Sequence, residues 1–382
     1  MRRIAAVTSS RADFNALYWP LHDLAAHSDV DLRIIAFGPH LSAEFGSTIQ
    51  EVEKAGFRVS ARIECLLSSD TDVGMAKTIG LATLSLADCL GEMRPDLLLV
   101  TADRYEMLAP ASVALALRIP LAHIEGGEIS EGAIDDTVRN ALTKMSHIHF
   151  TSTELARARV IGMGEEEWRV HRSGAPALDH LRRSRLLSRE ELEQRLAVDL
   201  SRPAAIVAYH PTTIARDTIR EADALFDALE EIPGQLLFCY PNADAGSRAL
   251  VARIESFLRG CRGKVFVNLD PIVYWSLLQY AEFLLGNSSS GIIEAASFTL
   301  PAVNVGIRQQ GREHGANVLD AEPDACSILD QVQRARSEQF RRSLKGLTNP
   351  YGDGCASQRI VAELTSVALG ERLLMKRAWT VP

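Results

Sequence analysis

The feature of this sequence that most constrains its fold is a repeated alternation of short apolar runs with amphipathic stretches of helical length. The apolar runs end in Gly, Ser, Asn or Asp, residues that favour a turn after a buried strand. This alternation is typical of repeated βα units, in which helices cover both faces of a parallel sheet. The sequence therefore predicts an α/β protein with buried parallel strands.

The predicted strands fall into two series, and 382 residues are enough for two domains with a full core each. The two series are expected at 4–7, 32–37, 97–100, 120–124 and 147–151, and at 204–209, 235–240, 265–268, 283–286 and 302–305. They join near residues 175–188, where Ser188 and Glu191 predict a capping box for a new helix.

We therefore expect two Rossmann-like, doubly wound domains that face a central cleft. The first is expected over residues 1–178 and the second over residues 179–355. A C-terminal helix within 356–382 is amphipathic and is expected to pack back onto the first domain.

Composition excludes several classes of function. The net charge of −8 is spread along the chain without a basic block, which argues against a nucleic-acid partner. The first apolar run stops at Thr8, too early for a signal peptide, and no stretch approaches the roughly 20 apolar residues of a membrane helix. The cysteines contain no CxxC pair, which favours reduced thiols over disulfides or zinc; they are Cys65, Cys89, Cys239, Cys261, Cys326 and Cys355. We predict a cytoplasmic protein.

Polar side chains follow the predicted strands at the edge where parallel sheets bind their ligands. In the first half these residues are Arg11, Asp13, Asp103, Arg104, Glu125 and Glu128. In the second half they are His210, Asn242, Asp244, Asn287, Ser288, Ser289, Ser290 and Arg308. A ligand site at these strand ends is therefore predicted.

The segment 284–297 predicts a strand, a small polar turn and then a helix. Serine hydroxyls and backbone N–H groups in such a turn suit a bound anion, although the serines could equally serve only as helix caps. His210 and Arg308 at neighbouring strand ends favour a phosphate site. Glu294, one turn into the helix, suits ribose hydroxyls better than a phosphate.

Other nucleotide and metal motifs are missing or weak. No G-x-G-x-x-G follows the first strand, and no G-x-x-x-x-G-K-[ST] motif occurs. A metal site at His147 and His149, or at His123 and Glu125, is possible by spacing, but we favour structural roles and predict no metal. The run 165–167 of three glutamates is predicted to be a solvated helix start.

Asp103, Glu125 and Asp135 each lie in a loop after a predicted strand. Together they could serve a C–H deprotonation or a glycosidic C–O cleavage, because one carboxylate can accept a proton while another, kept neutral by crowding, donates one. Alone, each could instead cap a helix, and Asp135 or Asp136 directly precedes a predicted helix start.

These motifs together resemble the hydrolysing UDP-N-acetylglucosamine 2-epimerases, from about residue 4 to residue 355. The matching segments include Asp103-Arg-Tyr-Glu-Met-Leu, His123-Ile-Glu-Gly-Gly-Glu128, Ile134-Asp-Asp-Thr-Val-Arg139, Thr143-Lys-Met-Ser-His147 and Gly286-Asn-Ser-Ser-Ser-Gly-Ile-Ile-Glu294. The resemblance implies a fold of the glycosyltransferase B type, with the sugar in the first domain and the nucleotide in the second. It also implies no metal or redox cofactor, and a homodimer or homotetramer.

The reaction implied by the resemblance removes the C2 proton of the sugar and expels UDP from C1. Water then adds to the resulting 2-acetamidoglucal with inversion at C2. The resemblance assigns this chemistry to Asp103, Glu125 and Asp135, without settling which acid performs which step. It places His210 at the diphosphate, Glu294 on the ribose, and Arg308 on the nucleotide side. The remaining expected substrate contacts are Arg11, Arg104, Asn242, Ser288, Ser289 and Ser290.

The sequence departs from the family pattern in two places, and the resemblance puts the second of them, the loop 128–134, beside the sugar. Ala102 replaces a familiar glycine, and the loop 128–134 is one residue longer than usual. The leading hypothesis is an enzyme that converts UDP-N-acetylglucosamine to N-acetylmannosamine and UDP for a sialic-type nonulosonic acid. The alternative substrates are a UDP- or GDP-linked 2,4-diacetamido-2,4,6-trideoxyhexose, or GDP-N-acetylglucosamine, for legionaminic acid. A glycosyltransferase and a non-catalytic sugar-nucleotide sensor are the other classes considered.

Overall fold

The computed structural model describes residues 1–67, 69, 71–101, 103–212, 214, 217, 221–241, 244, 246–260, 263–267 and 269–377. The chain divides into two compact units by its contacts. Unit 1 contains Met1–Glu128, Asp135–Arg182 and Tyr351–Pro382, and unit 2 contains Ile129–Ile134 and Arg183–Pro350. The second unit therefore includes a short loop from the first half of the chain.

The strands are β1 (Arg2–Thr8), β2 (Val30–Phe37), β3 (Val59–Ile63), β4 (Leu97–Thr101), β5 (Leu121–Ile124), β6 (Ile148–Thr151), β7 (Val170–Arg172), β8 (Ala204–Ala208), β9 (Gln235–Cys239), β10 (Gly263–Phe266), β11 (Phe283–Gly286), β12 (Ala302–Val305) and β13 (Val318–Ala321). The helices are α1 (Arg11–Ala26), α2 (Ile49–Lys54), α3 (Asp72–Met93), α4 (Leu108–Leu117), α5 (Ile134–Met145), α6 (Glu154–Gly162), α7 (His180–Arg183), α8 (Arg189–Leu196), α9 (Ala222–Glu231), α10 (Ser247–Leu258), α11 (Pro271–Tyr280), α12 (Ser290–Ile293), α13 (Ala325–Arg336), α14 (Glu338–Ser343), α15 (Ala356–Ser366) and α16 (Glu371–Leu374). Short 3-10 helices cover Gly38–Leu41, Tyr105–Met107, Glu167–Arg169, Pro176–Asp179 and Ala295–Phe298.

In the described part of the chain each unit has one parallel sheet, of seven strands in unit 1 and six in unit 2, and the six strands of unit 2 follow the same order as the first six of unit 1. The order is β3-β2-β1-β4-β5-β6-β7 in unit 1 and β10-β9-β8-β11-β12-β13 in unit 2. Both are doubly wound sheets of the Rossmann type, which confirms the predicted fold class. The order reverses between β1 and β4 in unit 1, and between β8 and β11 in unit 2. Ligands of such sheets bind at the carboxyl ends of the strands beside this reversal.

The predicted strands are present, with ends that differ by at most about two residues, and β3, β7 and β13 were not predicted. The largest shift is at β10, predicted at 265–268 and found at Gly263–Phe266, while residue 268 lies outside the described residues. The capping box of α8 is confirmed, because Glu191 N–H donates to Ser188 Oγ and Ser188 N–H donates to the Glu191 carboxylate.

The core of unit 1 combines the start of the chain with its end. Ile360 and Leu364 of α15 are fully buried in the same apolar cluster as Leu17 of α1 and Ile4 of β1. These α15 positions are four residues apart, so they lie on one helix face. The C-terminal segment is thus an integral part of this core. Unit 2 has its own apolar cluster around Phe226, Phe238 and Phe283.

Helix α3 corrects the expectation that no stretch approaches a membrane helix, because its 22 residues are long and apolar enough, by length and composition alone, to cross a membrane. Its buried residues recur every four positions, at Gly74, Thr78, Ala82, Leu86 and Leu90. This repeat places them on one face, and α3 packs by this face in unit 1, where it contacts α4. Only 28% of its apolar window is buried in this way, and Val73, Leu81 and Leu84 are exposed, so the buried face accounts for only part of the apolar composition.

Arg169 binds the last described segment of the chain to unit 1. Its side chain is fully buried and donates to the carbonyl oxygens of Arg372 (3.1 Å), Leu373 (2.7 Å) and Met375 (2.8 Å). It also donates to the His147 carbonyl at 3.1 Å and pairs with Glu166 at 2.9 Å. One guanidinium group thus satisfies carbonyl groups that would otherwise lose their hydrogen bonds on burial.

Glu165 is part of the same region, and the prediction that it lies in a solvated helix start is wrong. Its side chain is fully buried and contacts His149, Lys144 and Lys376. Burial alone would raise the pKa of Glu165, but the hydrogen bonds from these groups outweigh burial and hold the pKa at about 2. Lys376 also donates to the carbonyl oxygens of Lys144 and Ser146, at the C-terminal end of α5. Lys376 therefore ties the last described residues to α5.

We expect Arg169→Ala to lower the free energy of unfolding by about 3 kcal/mol, since it removes a buried cation and leaves several carbonyls unpaired. The matched control is Arg157→Ala, which removes a partly exposed arginine paired with the exposed Glu154 and Glu167 and should cost less than about 1 kcal/mol. Urea titration of both variants measures the difference. In a chain shortened to end at Gly370, Arg169→Ala should lower the free energy of unfolding clearly less, because the carbonyl groups of residues 372, 373 and 375 that Arg169 binds are absent. Equal losses for the two arginines would contradict this role.

Candidate functional site

In unit 1, Asp103 follows β4 and its carboxylate is paired with Arg139 of α5. Arg139 is almost fully buried, whereas the Asp103 side chain keeps 22% of its exposure. The same guanidinium donates to the Glu128 carbonyl at 3.0 Å and contacts Asp136 at 3.4 Å. A buried arginine therefore fixes the orientation of a carboxylate that remains accessible.

Glu125 follows β5 in a backbone conformation that side chains other than glycine rarely adopt. Its φ is +66°, and its N–H donates to the Phe150 carbonyl of β6 at 2.8 Å. A left-handed conformation at such a residue costs about 1 to 2 kcal/mol and persists only where the surroundings impose it. Strain of this kind is frequent at functional sites, so the observation supports a functional role for Glu125.

Asp135 and Asp136 lie in the first turn of α5, and the structure separates their environments. Asp136 accepts from Asn140 at 3.1 Å and contacts Arg139, which is a structural arrangement within the helix. Asp135 is half-buried and belongs to unit 1, as do Asp103 and Glu125. Asp103 and Glu125 come directly after the neighbouring strands β4 and β5, and Asp135 lies in the first turn of the helix that follows β5. The three predicted catalytic acids therefore all follow the carboxyl ends of adjacent strands of unit 1.

Arg104 interacts with two buried carboxyl groups at the reversal of strand order. It donates to Glu106 at 2.8 Å, and its charge also acts on Asp13. Burial raises the pKa of Asp13 and of Glu106, and Arg104 opposes both shifts. Asp13 in turn accepts from Ser9 N–H (2.9 Å), Ser9 Oγ (2.6 Å) and Ser10 N–H (3.0 Å) at the start of α1. This Asp13–Arg104–Glu106 cluster therefore links the start of α1, where Arg11 lies, to the Asp103 loop.

In unit 2, Asn287 joins the ends of β8 and β11. His210 N–H donates to its side-chain oxygen at 2.8 Å, and its side-chain NH2 donates to the His210 carbonyl at 2.9 Å. Its own carbonyl accepts from Arg308 at 3.1 Å and from Gln309 at 3.0 Å. The predicted site residues His210, through its backbone, and Arg308, through its guanidinium group, are thus both bound to the buried Asn287.

The serine loop follows directly, and the helix after it is shorter than predicted. Helix α12 covers only Ser290–Ile293 before a 3-10 helix begins, so its macrodipole is weak. Ser288 and Ser289 are half-buried, whereas Ser290 is buried and its Oγ accepts from Tyr274 at 2.5 Å. Anion binding at this loop would therefore depend on the hydroxyls and N–H groups of Ser288 and Ser289 more than on a helix dipole.

Glu294 lies at the end of α12 and is almost fully buried. Burial raises the pKa of Glu294, while a hydrogen bond from Ser290 and the charge of Arg312 oppose the shift. A buried carboxyl group beside the serine loop is compatible with the expected contact to a ribose.

The loop Ile129–Ile134 packs on the segment after β12. Glu131 N–H donates to the Gln310 carbonyl at 3.1 Å, and a Cβ on Gly132 would lie only 2.1 Å from the Ile307 carbonyl oxygen. Glycine at position 132 is therefore required for this close approach. The loop associated with the sugar in the sequence analysis contacts the neighbours of Arg308.

Asn242, another predicted contact, lies outside the described residues. His147 and His149 have the structural roles that were favoured for them: His147 Nδ1 accepts from Leu121 N–H at 3.1 Å, and His149 contacts Glu165 at 3.1 Å. Within the described part of the chain, no group of three or more His, Cys, Asp or Glu side chains is arranged to hold a metal ion.

The sequence analysis gave no role to Arg139, and it named Asn287 only as one of the strand-end residues, without the contacts by which both residues organise these sites. Arg139 follows Asp135 by four positions, so the helical repeat could have placed it on the face of the acids. Asn287 directly precedes the serines, but its pairing with a strand end 77 residues earlier has no signal in the local sequence.

Comparison with known proteins agrees with this architecture. A family model described as UDP-N-acetylglucosamine 2-epimerase matches residues 22–365. A GDP/UDP-N,N'-diacetylbacillosamine 2-epimerase (hydrolyzing) of Campylobacter jejuni is 36% identical, over 90% of this chain and 89% of its own length. A UDP-N,N'-diacetylbacillosamine 2-epimerase (hydrolyzing) of Legionella pneumophila is 34% identical, over 98% of this chain and 99% of its own.

The fold is also found among solved structures. The UDP-GlcNAc 2-epimerase of Neisseria meningitidis, bound to UDP-GlcNAc, superposes with a TM-score of 0.80 at 17% identity, over 96% of this chain and 100% of its own. That likeness confirms the glycosyltransferase B type of fold. Because the family model covers most of the chain and two relatives exceed 30% identity over nearly its whole length, the chain belongs to the UDP-N-acetylglucosamine 2-epimerase family.

Proposed function

We propose that this protein is a hydrolysing 2-epimerase that acts on a nucleotide-linked 2-acetamido sugar and releases the epimerised sugar and the nucleoside diphosphate. The observation that carries the proposal is the set of three acids that follow the carboxyl ends of adjacent strands of unit 1, with Asp103 held by the buried Arg139. Family membership adds the reaction type, because both similar relatives are described as hydrolysing 2-epimerases.

In the proposed reaction, one carboxylate of unit 1 removes the proton from C2 of the sugar. The C2–H electrons form a C1=C2 double bond while the C1–O bond breaks and the nucleoside diphosphate leaves. Water then adds to this 2-acetamidoglucal: its hydroxyl joins C1, and a proton is delivered to C2 from the opposite face. One water is consumed, and the acids Asp103, Glu125 and Asp135 together supply the acceptor and the donors for these transfers.

Unit 2 is proposed to hold the nucleotide. His210 and Arg308 can supply positive charge to a diphosphate, and the hydroxyls of Ser288 and Ser289 can donate to its oxygens. Glu294 is proposed to accept from the ribose hydroxyls. Both His210 and Arg308 are hydrogen-bonded to Asn287, which supports this proposal, since a diphosphate requires several donors with a fixed mutual geometry.

We infer that the sugar is a 2,4-diacetamido-2,4,6-trideoxyhexose, the alternative in the sequence analysis, because the two relatives above are described as diacetylbacillosamine 2-epimerases. UDP-N-acetylglucosamine is the second candidate, because the family model carries its name. The two substrates differ at C4 and C6 of the sugar, so a direct comparison of turnover decides between them.

In heavy water, we expect the purified protein to release the nucleoside diphosphate of its substrate and a free sugar that carries deuterium at C2. The panel contains UDP-N,N'-diacetylbacillosamine, GDP-N,N'-diacetylbacillosamine, UDP-N-acetylglucosamine and GDP-N-acetylglucosamine, and proton NMR with mass spectrometry measures the products. The specificity constant should be at least tenfold higher for a diacetamido substrate. An intact epimerised nucleotide sugar would contradict hydrolysis, and transfer to an added acceptor without C2 exchange would indicate a glycosyltransferase.

Asp103→Asn should lower kcat by a factor of about 100 to 10,000, because the amide keeps the contact to Arg139 but cannot accept or donate the proton. UDP affinity, measured by calorimetry, should change less than about threefold. Asp136→Asn is the matched control, since Asp136 contacts the same arginine. This variant should lower kcat by less than about tenfold. A non-catalytic sensor would show no activity in the wild type and no distinct effect of either change.

Glu125→Gly should abolish most turnover without loss of stability, because glycine adopts a φ of +66° without strain while the carboxyl group is removed. Arg118→Gly is the control: Arg118 has a φ of +58° after α4, before the amino end of β5. The free energy of unfolding of both variants, measured by urea titration, should lie within about 1 kcal/mol of the wild-type value or above it. Only Glu125→Gly should lose activity, and an active Glu125→Gly would exclude Glu125 from the proton transfers.

A further inference from the structure

Asn287 uses all of its polar groups at the point where the strand order of unit 2 reverses. It is fully buried, and its backbone N–H donates to the Ala208 carbonyl of β8 at 3.1 Å. Its side-chain amide then exchanges a donor and an acceptor with the backbone of His210, at 2.8 and 2.9 Å. The side chain therefore continues the β8–β11 ladder by one more pair of hydrogen bonds, beyond the last paired residues, Ala208 and Gly286.

The backbone at Gly286 shows why this arrangement requires a special sequence. Gly286 has a φ of +140°, and a Cβ there would lie 2.1 Å from the Ala208 carbonyl oxygen. The two strand ends therefore approach more closely than side chains allow, and the chain turns out of the ladder at this residue. Asn287 restores the hydrogen bonds that the turn would otherwise leave unmade.

The carbonyl of Asn287 extends the same connection to a third strand end. It accepts from the Arg308 guanidinium at 3.1 Å and from the Gln309 amide at 3.0 Å, and both donors follow β12. The residue thus sets the positions of His210, Arg308 and the adjoining Ser288 with respect to one another.

We propose that Asn287 is the positioning residue of the nucleotide site in unit 2, which holds the donors at three strand ends in the geometry that a nucleoside diphosphate requires. This inference rests on the proposed function, and goes beyond it by assigning the site's geometry to a residue that contacts the protein rather than the substrate. Only an amide of this length offers both a donor and an acceptor to His210. A carboxylate loses the donor and places a negative charge against the His210 carbonyl.

The structure offers a matched control in the same unit. Asn317 is also fully buried, and its side-chain NH2 donates to the Leu300 carbonyl at 3.0 Å. Asn317 precedes β13 and Leu300 precedes β12, so this contact lies at the amino edge of the sheet, opposite to the strand ends of the site. Asn317→Asp therefore makes the same chemical change at the same burial, without a contact to His210 or Arg308.

The test measures UDP binding by calorimetry for the full-length wild type, Asn287→Asp and Asn317→Asp, at a temperature at which all three are folded. We expect Asn287→Asp to raise the dissociation constant at least tenfold and Asn317→Asp to change it less than twofold, while both lower thermal stability. The KM for the sugar nucleotide should rise with the UDP dissociation constant. If Asn287→Asp does not fold, Asn287→Ser and Asn317→Ser, which introduce no buried charge, give the same comparison.

Unchanged UDP binding in the Asn287 variant, or equal weakening in both variants, would overturn the positioning role. Failure of the positioning role can be told apart from failure of the proposed reaction, since the first is measured by UDP binding and the second by turnover. A wild type that binds UDP but epimerises no sugar nucleotide would refute the reaction alone. A wild type that epimerises, with an Asn287 variant that binds UDP normally, would refute the positioning role alone.

Discussion

Both units depend on polar groups that are buried where their parallel sheets reverse strand order. In unit 1, Arg104 pairs with the buried carboxyl group of Glu106 and its charge acts on that of Asp13, and in unit 2 Asn287 pairs with His210. A buried polar group without a partner is costly, so each of these contacts restricts the movement of the strand ends it joins. Three residues proposed to meet the substrate directly follow strands joined in this way: Asp103 follows β4, His210 follows β8 and Ser288 follows β11. These buried contacts therefore restrict their positions.

The unit 1 acids show how stability and function diverge at such an edge. Glu125 is held at a φ of +66°, which a glycine would adopt at lower cost, and Asp103 keeps partial exposure although a fully buried arginine binds it. Neither arrangement is what packing alone would favour. Both are expected where a carboxyl group must reach a substrate at a defined angle, and they support a role in proton transfer.

Much of the fold followed from the sequence because strands buried on both faces leave continuous apolar runs. The three strands that escaped prediction lack this signal. In the edge strand β3 half-buried and exposed residues alternate, β7 has only three residues, and the apolar run of β13 is interrupted by the exposed Asp320. Site residues at strand ends were predictable once the strands were known, because a parallel sheet places the carboxyl ends of its strands at one edge. The contacts that hold these site residues in place were not predictable from local sequence, because Asp103 and Arg139 are 36 residues apart and His210 and Asn287 are 77 residues apart. Glu165 was predicted to be solvated because the lysine that reaches it, Lys376, belongs to the far end of the chain.

The central claim is that the acids of unit 1 act on the sugar carbons while unit 2 only holds the nucleotide. The most direct test is the reaction in water enriched in oxygen-18, followed by mass spectrometry of the released nucleotide. Because the proposed elimination breaks the bond between C1 and the phosphate oxygen, the account predicts that the nucleoside diphosphate contains no label. Label in the terminal phosphate would show that water attacks phosphorus, and would contradict the account.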